Sequence, residues 1–217
     1  MCNRYAHRHT PEEMRAFFAV ALHPGLARHL LLPNYNIAPQ DKVPAVRQVD
    51  GRRGLTGLTW GFDGHDHLVL NARSETARQK TVFRESLKLR RCLLPASGFF
   101  EWSHEERPPQ PYYFQARDEG LLALGAIWAA DETVCILTTS ANATVAPIHD
   151  RMPVLIRPPD FDRWLGAEGD IGDLLRPAAE EILKVHPVGK RVNRVGEQGG
   201  ELLEPVKVEA RRQGELF

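Results

Sequence analysis

Cysteine is scarce in this chain of 217 residues, which contains three cysteines and no Cys-x-x-Cys pair. A small, odd number of cysteines argues against a disulfide framework, and the missing paired spacing argues against a structural zinc site. Cys92 and Cys135 lie inside apolar runs and are predicted to be buried, inert strand residues. Only Cys2, which directly follows the first methionine, is left as a candidate for chemistry.

Long apolar segments are also lacking. No run approaches the roughly 18 residues that indicate a membrane helix, and the N-terminal segment has no apolar core. The sequence therefore predicts neither a membrane span nor a signal peptide, and a cytoplasmic location fits. A reducing compartment of that kind keeps an exposed thiol at Cys2 usable.

Recognisable metal and cofactor signatures are missing as well. The chain has no glycine-rich phosphate loop, no Gly-x-Ser-x-Gly elbow and no helical His-Glu-x-x-His motif. Its nine histidines show no metal-ligand spacing beside a second ligand pair. We therefore expect neither a metal nor a cofactor.

Net charge is absent, because 28 basic residues balance 28 acidic ones, so no global field attracts nucleic acid. The segment from Arg73 to Arg91 is an exception, with seven basic residues and two acids. Such a local patch is sufficient for phosphate contacts, although a solvated helix face has the same composition.

Length and composition indicate one domain over residues 1–217, with 42% hydrophobic residues to build a core. Many short strands, few helices and no strand-helix-strand rhythm predict the α+β class. We expect a mostly antiparallel β core, either barrel-like or two packed sheets, with a few flanking helices. The polar segment 199–217 is expected to be loosely ordered.

Individual elements are also indicated by the sequence. Thr10-Pro11-Glu12-Glu13 is typical of a capped helix start, and the apolar spacing extends this helix to Leu22. Further helical segments are predicted at 81–91, 161–165 and 171–183. The segment 35–39 is expected to be a loop, and 92–102 a single strand.

Cys2 has chemistry that no internal cysteine shares. Initiator methionine is normally removed before a small residue, which would leave an amine and a thiol on Cys2. The amine condenses with an aldehyde to an imine, and the sulfur then closes a thiazolidine ring. Both groups suit neutral pH, since an α-amine has a pKa of about 7.7–8.0 and a thiol of about 8.5. The alternative is a chance cysteine near a frayed chain start.

Five further residues could take part in chemistry or binding. Glu101 ends an apolar strand between aromatic residues, where partial desolvation would raise its pKa toward neutrality, although a strand-end ion pair would fit too. His149, in a loop between two prolines, could exchange a proton, or could be an ordinary surface histidine. Asn71 and Arg73 end another strand and could bind a sugar and a phosphate. An exposed Trp60 could stack on a base, although a core tryptophan is more usual.

The chain contains a series of short segments that occur together, in this order, in one known family. They are Met1-Cys2-x-Arg4-Tyr5, Tyr35-Asn36-Ile37-Ala38-Pro39, Trp60-Gly61, Asn71-Ala72-Arg73-Ser74-Glu75-Thr76, Phe83-Arg84, Arg91-Cys92-Leu93-Leu94-Pro95-Ala96-x-Gly98-Phe99-x-Glu101-Trp102, Thr138-Thr139-x-Ala141-Asn142 and Ile148-His149-Asp150-Arg151-Met152-Pro153-Val154. With these segments the chain resembles the SRAP (SOS response-associated peptidase) domain proteins, which bind single-stranded DNA and crosslink to abasic sites. The resemblance covers residues 1 to about 156 and continues weakly around Val192-Asn193.

The resemblance implies an abasic-site sensor that forms a thiazolidine crosslink and shields the lesion during the DNA damage response. Cys2 would be the nucleophile, Glu101 would move protons, His149 would protonate the sugar oxygen, and Asn71 would orient the chain start and the sugar. DNA contacts would come from Arg73, Arg84, Asn36, Pro39, Trp60 and Arg4. The protein would be a monomer that binds single-stranded DNA with abasic sites and joins the nucleoid when DNA is damaged.

The chain departs from the family pattern at three places. Asn3 stands where the family usually has glycine, and Phe100 replaces a tyrosine. The segment 60–67 is shorter than usual and lacks a second tryptophan, which puts the DNA-stacking role of Trp60 in question.

Two other functions remain open. A cysteine peptidase, acting on its own N-terminus, would use Cys2, His149 and Glu101. A non-catalytic binder of single-stranded DNA would need none of that chemistry, and its affinity would depend steeply on salt.

Overall fold

A computed structural model of the chain describes residues 3–23, 25–64, 67–104, 107–167 and 169–208. Within these residues there are fifteen strands and four α-helices. The strands are β1 (Arg4–His7), β2 (Ala21–Leu22), β3 (Asn34–Ile37), β4 (Lys42–Val49), β5 (Arg52–Trp60), β6 (Phe62–Asp63), β7 (Leu68–Val69), β8 (Asn71–Arg73), β9 (Arg91–Ala96), β10 (Gly98–Ser103), β11 (Gln110–Ala116), β12 (Leu122–Trp128), β13 (Thr133–Ser140), β14 (Arg151–Pro153) and β15 (Leu183–Pro187). The helices are α1 (Pro11–Phe18), α2 (Ser74–Ala77), α3 (Thr81–Leu89) and α4 (Phe161–Leu165).

Most of these strands belong to two sheets. The smaller sheet has the antiparallel order β15-β11-β10-β1-β3. The larger sheet has the order β14-β13-β12-β9-β4-β5-β2, with β8 added beside β13. The sheet curls so that β5 and β13, the strands next to its two ends, also pair, and the larger sheet is partly closed. The predicted α+β class with a mostly antiparallel core is confirmed.

Side chains along the central strands alternate between two apolar cores, as the two-residue period of a strand requires. The inter-sheet core contains Leu94 and Ile136 of the larger sheet and Phe99 and Phe114 of the smaller one. The helix-side core packs Leu93 and Cys135 against Phe83 of α3 and Trp164 of α4. Because both faces of β9 and β13 are covered, these strands consist almost wholly of buried residues. Cys92 and Cys135 are both fully buried, as the sequence predicted.

The outer face of the smaller sheet carries a third apolar cluster. Ala6, Phe100 and Tyr113 pack there against Val192 and Leu203 of the C-terminal segment. Leu202 and Leu203 are only 2% and 8% exposed. The expectation of a loose segment was therefore wrong for residues 200–203, and residues 209–217 lie outside the described part of the chain.

Helix α1 begins as the sequence predicted and ends earlier. Thr10 Oγ1 accepts a hydrogen bond from the Glu13 main chain, and the Glu13 carboxylate accepts one from the Thr10 main chain. The helix stops when Ala19 takes a left-handed conformation with φ 50°. Residues 21 and 22 then pair with β5 instead of continuing the helix. In the described part of the chain, no helix combines the length and apolar character needed to cross a membrane.

Three other local predictions were wrong. The segment 171–183 is not a helix, because Pro177 interrupts it and only short 3₁₀ turns form on either side. The segment 35–39 begins as strand β3 rather than a loop, since it pairs with β1. The segment 92–102 is two strands, because the chain passes from the larger to the smaller sheet between Ala96 and Gly98.

Gly98 allows that passage between sheets by a close approach of two strands. A Cβ at this position would lie 2.3 Å from the main-chain oxygen of Phe114 and 2.5 Å from the Tyr113 ring. Main-chain atoms in a paired strand cannot move away from such a contact. Gly98 therefore sets how closely β10 approaches β11.

We expect Gly98→Ala to lower the free energy of unfolding by about 2–3 kcal/mol or more, as overpacking does in a rigid site. Gly189→Ala is the matched control, since the nearest atom to its added Cβ lies 3.9 Å away. Urea unfolding of both variants measures the difference. Equal stabilities of the two variants would contradict the close approach at Gly98.

Candidate active site

Glu101 faces the space between the two sheets. Along β10, Phe99 points into the inter-sheet core and Phe100 into the outer cluster, so Glu101 follows Phe99. The carboxyl group is only 2% exposed. This burial raises the pKa of Glu101 to about 7. The predicted desolvation of this carboxyl is thus present in the structure.

His149 is held in one orientation by the loop between β13 and β14. Its main-chain N–H donates to the carbonyl of Val145, 3.0 Å away. The main-chain N–H of Arg151 donates to His149 Nδ1 at 2.9 Å. A main-chain N–H can only donate, so in the neutral ring the proton is on Nε2. Asp150 Oδ1 lies 3.1 Å from the same Nδ1, but the lone pair there is already used by Arg151.

The protonated nitrogen of His149 faces Glu101. His149 Nε2 and Glu101 Oε2 are 3.8 Å apart, which is longer than a hydrogen bond. Burial raises the pKa of Glu101 and lowers the pKa of His149, so both charged forms are disfavoured. Both shifts favour a neutral carboxyl beside a neutral imidazole.

An ion pair behind the loop supports this arrangement. The Arg151 guanidinium donates to both carboxylate oxygens of Glu75, at 2.7 and 2.9 Å. It also donates to the carbonyl of Thr138 at 2.8 Å. Arg151 thus joins β14, β13 and α2, and its own N–H orients His149. Sequence reasoning included both residues in the family segments but gave them no role.

Asn71 and Arg73 lie on β8, the strand of the larger sheet that pairs with β13. Strand β8 pairs in parallel with β13, so that Ala72 lies beside Leu137 and faces the helix-side core. By alternation, Asn71 and Arg73 face the opposite way, toward the inter-sheet side that Glu101 also faces. Asn71 is half-buried and Arg73 is exposed.

Two clefts meet at Asn3, at the start of β1. The acid–base cleft has a volume of about 290 Å³ and is lined by Asn3, Arg4, Glu101, Trp102, His104 and His149. The basic cleft has a volume of about 730 Å³ and includes Asn3, Asn71, Arg73 and Lys80. Cys2, the candidate nucleophile, directly precedes Asn3 and lies outside the described residues.

Trp60 and Asn36 are both buried, whereas their predicted DNA contacts assumed accessible side chains. Trp60 is fully buried in the inter-sheet core, where its Nε1 donates to the carbonyl of Leu70 at 3.1 Å. Asn36 is 1% exposed, and its amide group bonds within the protein. Its Oδ1 accepts from Arg4 at 2.8 Å, and its Nδ2 donates to the carbonyl of Arg194 at 2.9 Å.

The other four predicted DNA contacts fall into two groups, those that line one of the clefts and those that are not among the described lining residues. Arg4 is half-buried and lines the acid–base cleft, while Arg73 lines the basic cleft. Pro39 is half-buried and Arg84 is exposed, and neither is among the described residues lining the two clefts.

The basic segment from Arg73 to Arg91 does not form one continuous patch. Some of its cations are used inside the protein: Arg91 is buried, Arg78 pairs with Asp170 at 2.6 Å, and Arg90 pairs with Glu85 at 2.9 Å. Lys80, by contrast, is exposed and lines the basic cleft with Arg73. Sequence reasoning counted Lys80 only as part of the local charge, because its spacing from Arg73 does not show that the two face one cleft.

The family model described as SOS response associated peptidase (SRAP) matches residues 1–195. The chain belongs to the SRAP family. This assignment covers all the site residues described above and confirms the family resemblance that the sequence segments indicated.

Two named relatives are matched over most of their own length. The chain is 28% identical to the abasic site processing protein YedK of Escherichia coli, over 95% of this chain and 100% of that protein. It is also 28% identical to the abasic site processing protein YoaM of Bacillus subtilis, over 79% of this chain and 85% of that protein.

Crystal structures with a similar fold include a protein from Bacteroides thetaiotaomicron. It has a TM-score of 0.83 and 20% identity, and the match covers 95% of this chain and 100% of that one. A phage-related protein from Bordetella bronchiseptica has a TM-score of 0.69 and 25% identity, over 86% and 94% of the two chains. At 20% identity, the likeness to the Bacteroides thetaiotaomicron protein concerns the fold alone.

One departure from the SRAP pattern has no direct consequence for the acid–base pair. Phe100 points into the outer cluster, where its ring lies 4.9 Å from that of Tyr113. This is the face of β10 opposite to Glu101. The tyrosine hydroxyl that Phe100 lacks would therefore lie on the side of the outer cluster and not in the acid–base cleft.

We expect Glu101→Gln to stabilise the protein at high pH. The folded protein binds a proton at Glu101 up to about pH 7, whereas the unfolded chain releases it near 4.5. The free energy of unfolding of the wild type therefore falls as the pH rises through this window, by up to about 3 kcal/mol. Glutamine does not titrate, so the variant avoids that loss.

Urea unfolding at about pH 5 and about pH 8 measures this effect. The gain from Glu101→Gln should be clearly larger at the higher pH. Glu12→Gln, on the exposed side of α1, is a matched control for removing one carboxyl. An equal gain from Glu101→Gln at both pH values would contradict the raised pKa of Glu101.

Proposed function

We propose that this protein processes abasic sites by forming a covalent crosslink between Cys2 and the ring-opened sugar in single-stranded DNA. The observation that carries the proposal is the pairing of buried Glu101 with half-buried His149 in a cleft lined by Asn3, the residue that follows Cys2. The names of the SRAP relatives, which are abasic site processing proteins, support the choice of lesion.

The reaction needs an aldehyde and an aminothiol, and no oxidant or reductant. The abasic deoxyribose opens from its closed hemiacetal to an aldehyde when a proton reaches the ring oxygen. The Cys2 amine attacks that carbon and water leaves, which gives an imine. The thiol then adds across the C=N bond, with sulfur bonding to carbon and the proton to nitrogen. One water is lost overall, and the thiazolidine resists the β-elimination that an imine alone promotes.

Glu101 and His149 suit the proton transfers in this reaction sequence. A carboxyl with a pKa of about 7 can donate and accept a proton near neutral pH. The Nε2–H of His149 is directed toward the same space, since Nδ1 is occupied by the Arg151 N–H. In this proposal His149 donates to the sugar oxygen, and Glu101 moves protons to and from the amine. Asn71 orients the chain start and the sugar from the adjoining cleft.

Replacement of Cys2 tests the covalent step. We expect wild-type protein, with Met1 removed as confirmed by mass, to form a denaturation-resistant adduct with single-stranded DNA that contains one abasic site. Cys2→Ala should abolish the adduct. Cys135→Ala is the matched control, because that thiol is fully buried and its pKa is raised by burial.

The same assay separates crosslinking from peptidase activity. Protein produced with Cys2 already as its first residue has no peptide bond left to cleave there, and under our proposal it crosslinks fully. No adduct from such protein, or an adduct that persists in Cys2→Ala, would contradict the proposal. Binding without preference for abasic DNA would instead indicate a non-catalytic binder.

The rate of crosslinking should have a bell-shaped dependence on pH. The acid limb reflects the α-amine, with a pKa of about 7.7–8.0, and the alkaline limb reflects loss of the Glu101 proton above about pH 7. We expect the maximum between about pH 7 and about pH 8. Glu101→Gln should lower the rate by about 10²-fold or more and remove the alkaline limb. An unchanged alkaline limb in this variant would contradict the role of Glu101.

A further inference from the structure

Strand β15 leaves an open edge on the smaller sheet. Within the described part of the chain it is the end strand, and it pairs with no strand other than β11. The Ile182 carbonyl and the Val188 N–H, which flank β15, both bond to β11 or to the residue that follows it. By alternation, the main-chain groups of Leu183, Val185 and Pro187 are directed to the open edge. An edge of this kind can accept a further strand.

The chain itself approaches this edge before the described residues end. The Val206 N–H donates to the Pro187 carbonyl at 3.0 Å, and Val188 forms an antiparallel bridge with Pro205. Because this pairing is antiparallel, the chain at Val206 is directed along β15, from Pro187 toward Leu183. Residues 209–217, outside the described part of the chain, are next in the sequence.

The sequence beyond this bridge has the pattern of a strand. Val206-Lys207-Val208-Glu209-Ala210 alternates apolar and polar residues, which is typical of a half-buried strand. In the register of the bridge, Val208 lies opposite Val185 and Glu209 opposite Lys184. Val185 packs against the inter-sheet core, so Val208 would extend that core at its edge. On the other face, Lys184 and Glu209 have opposite charges, as favourable cross-strand pairs do.

An apolar groove lies at the far end of the open edge. Its volume is about 490 Å³, and Ile182, the residue before β15, forms part of its lining. Half-buried Phe17, Leu121 and Leu155 form apolar walls. In the same register, residue 212 lies opposite residue 181, which leaves 213–217 to span up to about 17 Å. This segment ends in the apolar pair Leu216-Phe217, so its length and composition suit the groove.

Negative charge predominates where the open edge meets the groove. Three exposed carboxylates lie there and form no ion pair with a described residue: Asp118, Glu180 and Glu181. Two arginines, Arg117 and Arg157, also line the groove. The Arg117 guanidinium donates to the main-chain carbonyls of residues 181 and 183, at 3.1 and 3.2 Å. The cations of residues 211 and 212, both arginines, complement the excess of carboxylates.

We propose that residues 207–217, the tail, dock on their own chain. Val208 and Glu209 add a strand to the smaller sheet beside β15, and Leu216 and Phe217 fill the apolar groove. The docked tail closes the open edge, which would otherwise be available to a strand of a second copy. This inference does not depend on the proposed function. Pro187 lies beside Tyr112, which lies beside Glu101, so the tail leads away from the acid–base cleft.

A disulfide placed by the register tests the added strand. Lys184→Cys with Glu209→Cys introduces two thiols at directly opposite positions. The pair is not hydrogen-bonded, so its Cα atoms would lie about 4.5 Å apart, within the range of disulfides. The Cys2→Ala background removes the candidate nucleophile, and the thiols of Cys92 and Cys135 are buried. On mild oxidation we expect a disulfide within one molecule, detected by mass spectrometry of unreduced peptides.

The matched control for this disulfide is Lys184→Cys with Ala210→Cys. A shift of one residue places the second thiol on the opposite face of the strand, so this pair should bond much less. Equal yields from the two pairs would overturn the proposal, because an undocked tail brings both thiols together alike. A disulfide that forms only between two molecules would also overturn it, since the edge would then pair with a second copy.

Amide hydrogen exchange tests the groove. We expect Leu216→Ser with Phe217→Ser to speed exchange of the amides of residues 206–210 by roughly tenfold or more, because the apolar contacts that hold the tail are lost. Leu121→Ser, in the groove wall, should have an effect in the same direction. Leu32→Ser is the matched control, since Leu32 is 62% exposed and is not among the residues lining the groove. Exchange of the tail amides that is equally fast in the wild type and in the tail variant would overturn the proposal.

Discussion

The burial of one carboxyl group between two sheets is the constraint on which the rest of this site depends. Alternation along β10 directs Phe99 and Glu101 to the same side, so the packing that buries the phenyl ring also desolvates the carboxyl. Desolvation in this strand is the largest cause of its pKa of about 7, and the negative charge of Asp150 raises that pKa further. Gly98 contributes because it lets β10 approach β11 closely at the start of that strand. Fold and acid–base chemistry are therefore set by the same contacts.

Such a site has a cost in stability, and the surrounding contacts offset it. A buried carboxyl that ionises near neutral pH destabilises the folded state above that pH. Around it, Arg151 binds Glu75 with two hydrogen bonds and orients the imidazole of His149 through its own N–H. These contacts fix the ring that faces Glu101.

The sequence predicted the class of fold and the acid–base pair, because both leave local signals. A strand-end glutamate among aromatics and a histidine between prolines can be recognised from neighbours in the chain. The depth of Trp60 and Asn36 cannot, since it depends on which strands pair across the sheets. The end of α1 was missed for the same reason, because pairing of residues 21 and 22 with β5 overrides the helical spacing. The helix predicted at 171–183 could have been rejected from the local sequence, because Pro177 indicates a break there. The apolar spacing was given more weight than this proline.

The position of Asn3 would let the chain start and the two clefts act together in the proposed function. This residue precedes β1, the strand between β10 and β3, and it lines both the cleft with Glu101 and the cleft with Arg73. A reactive group directly before Asn3 is then within one residue, about 3.8 Å between Cα atoms, of a position shared by both.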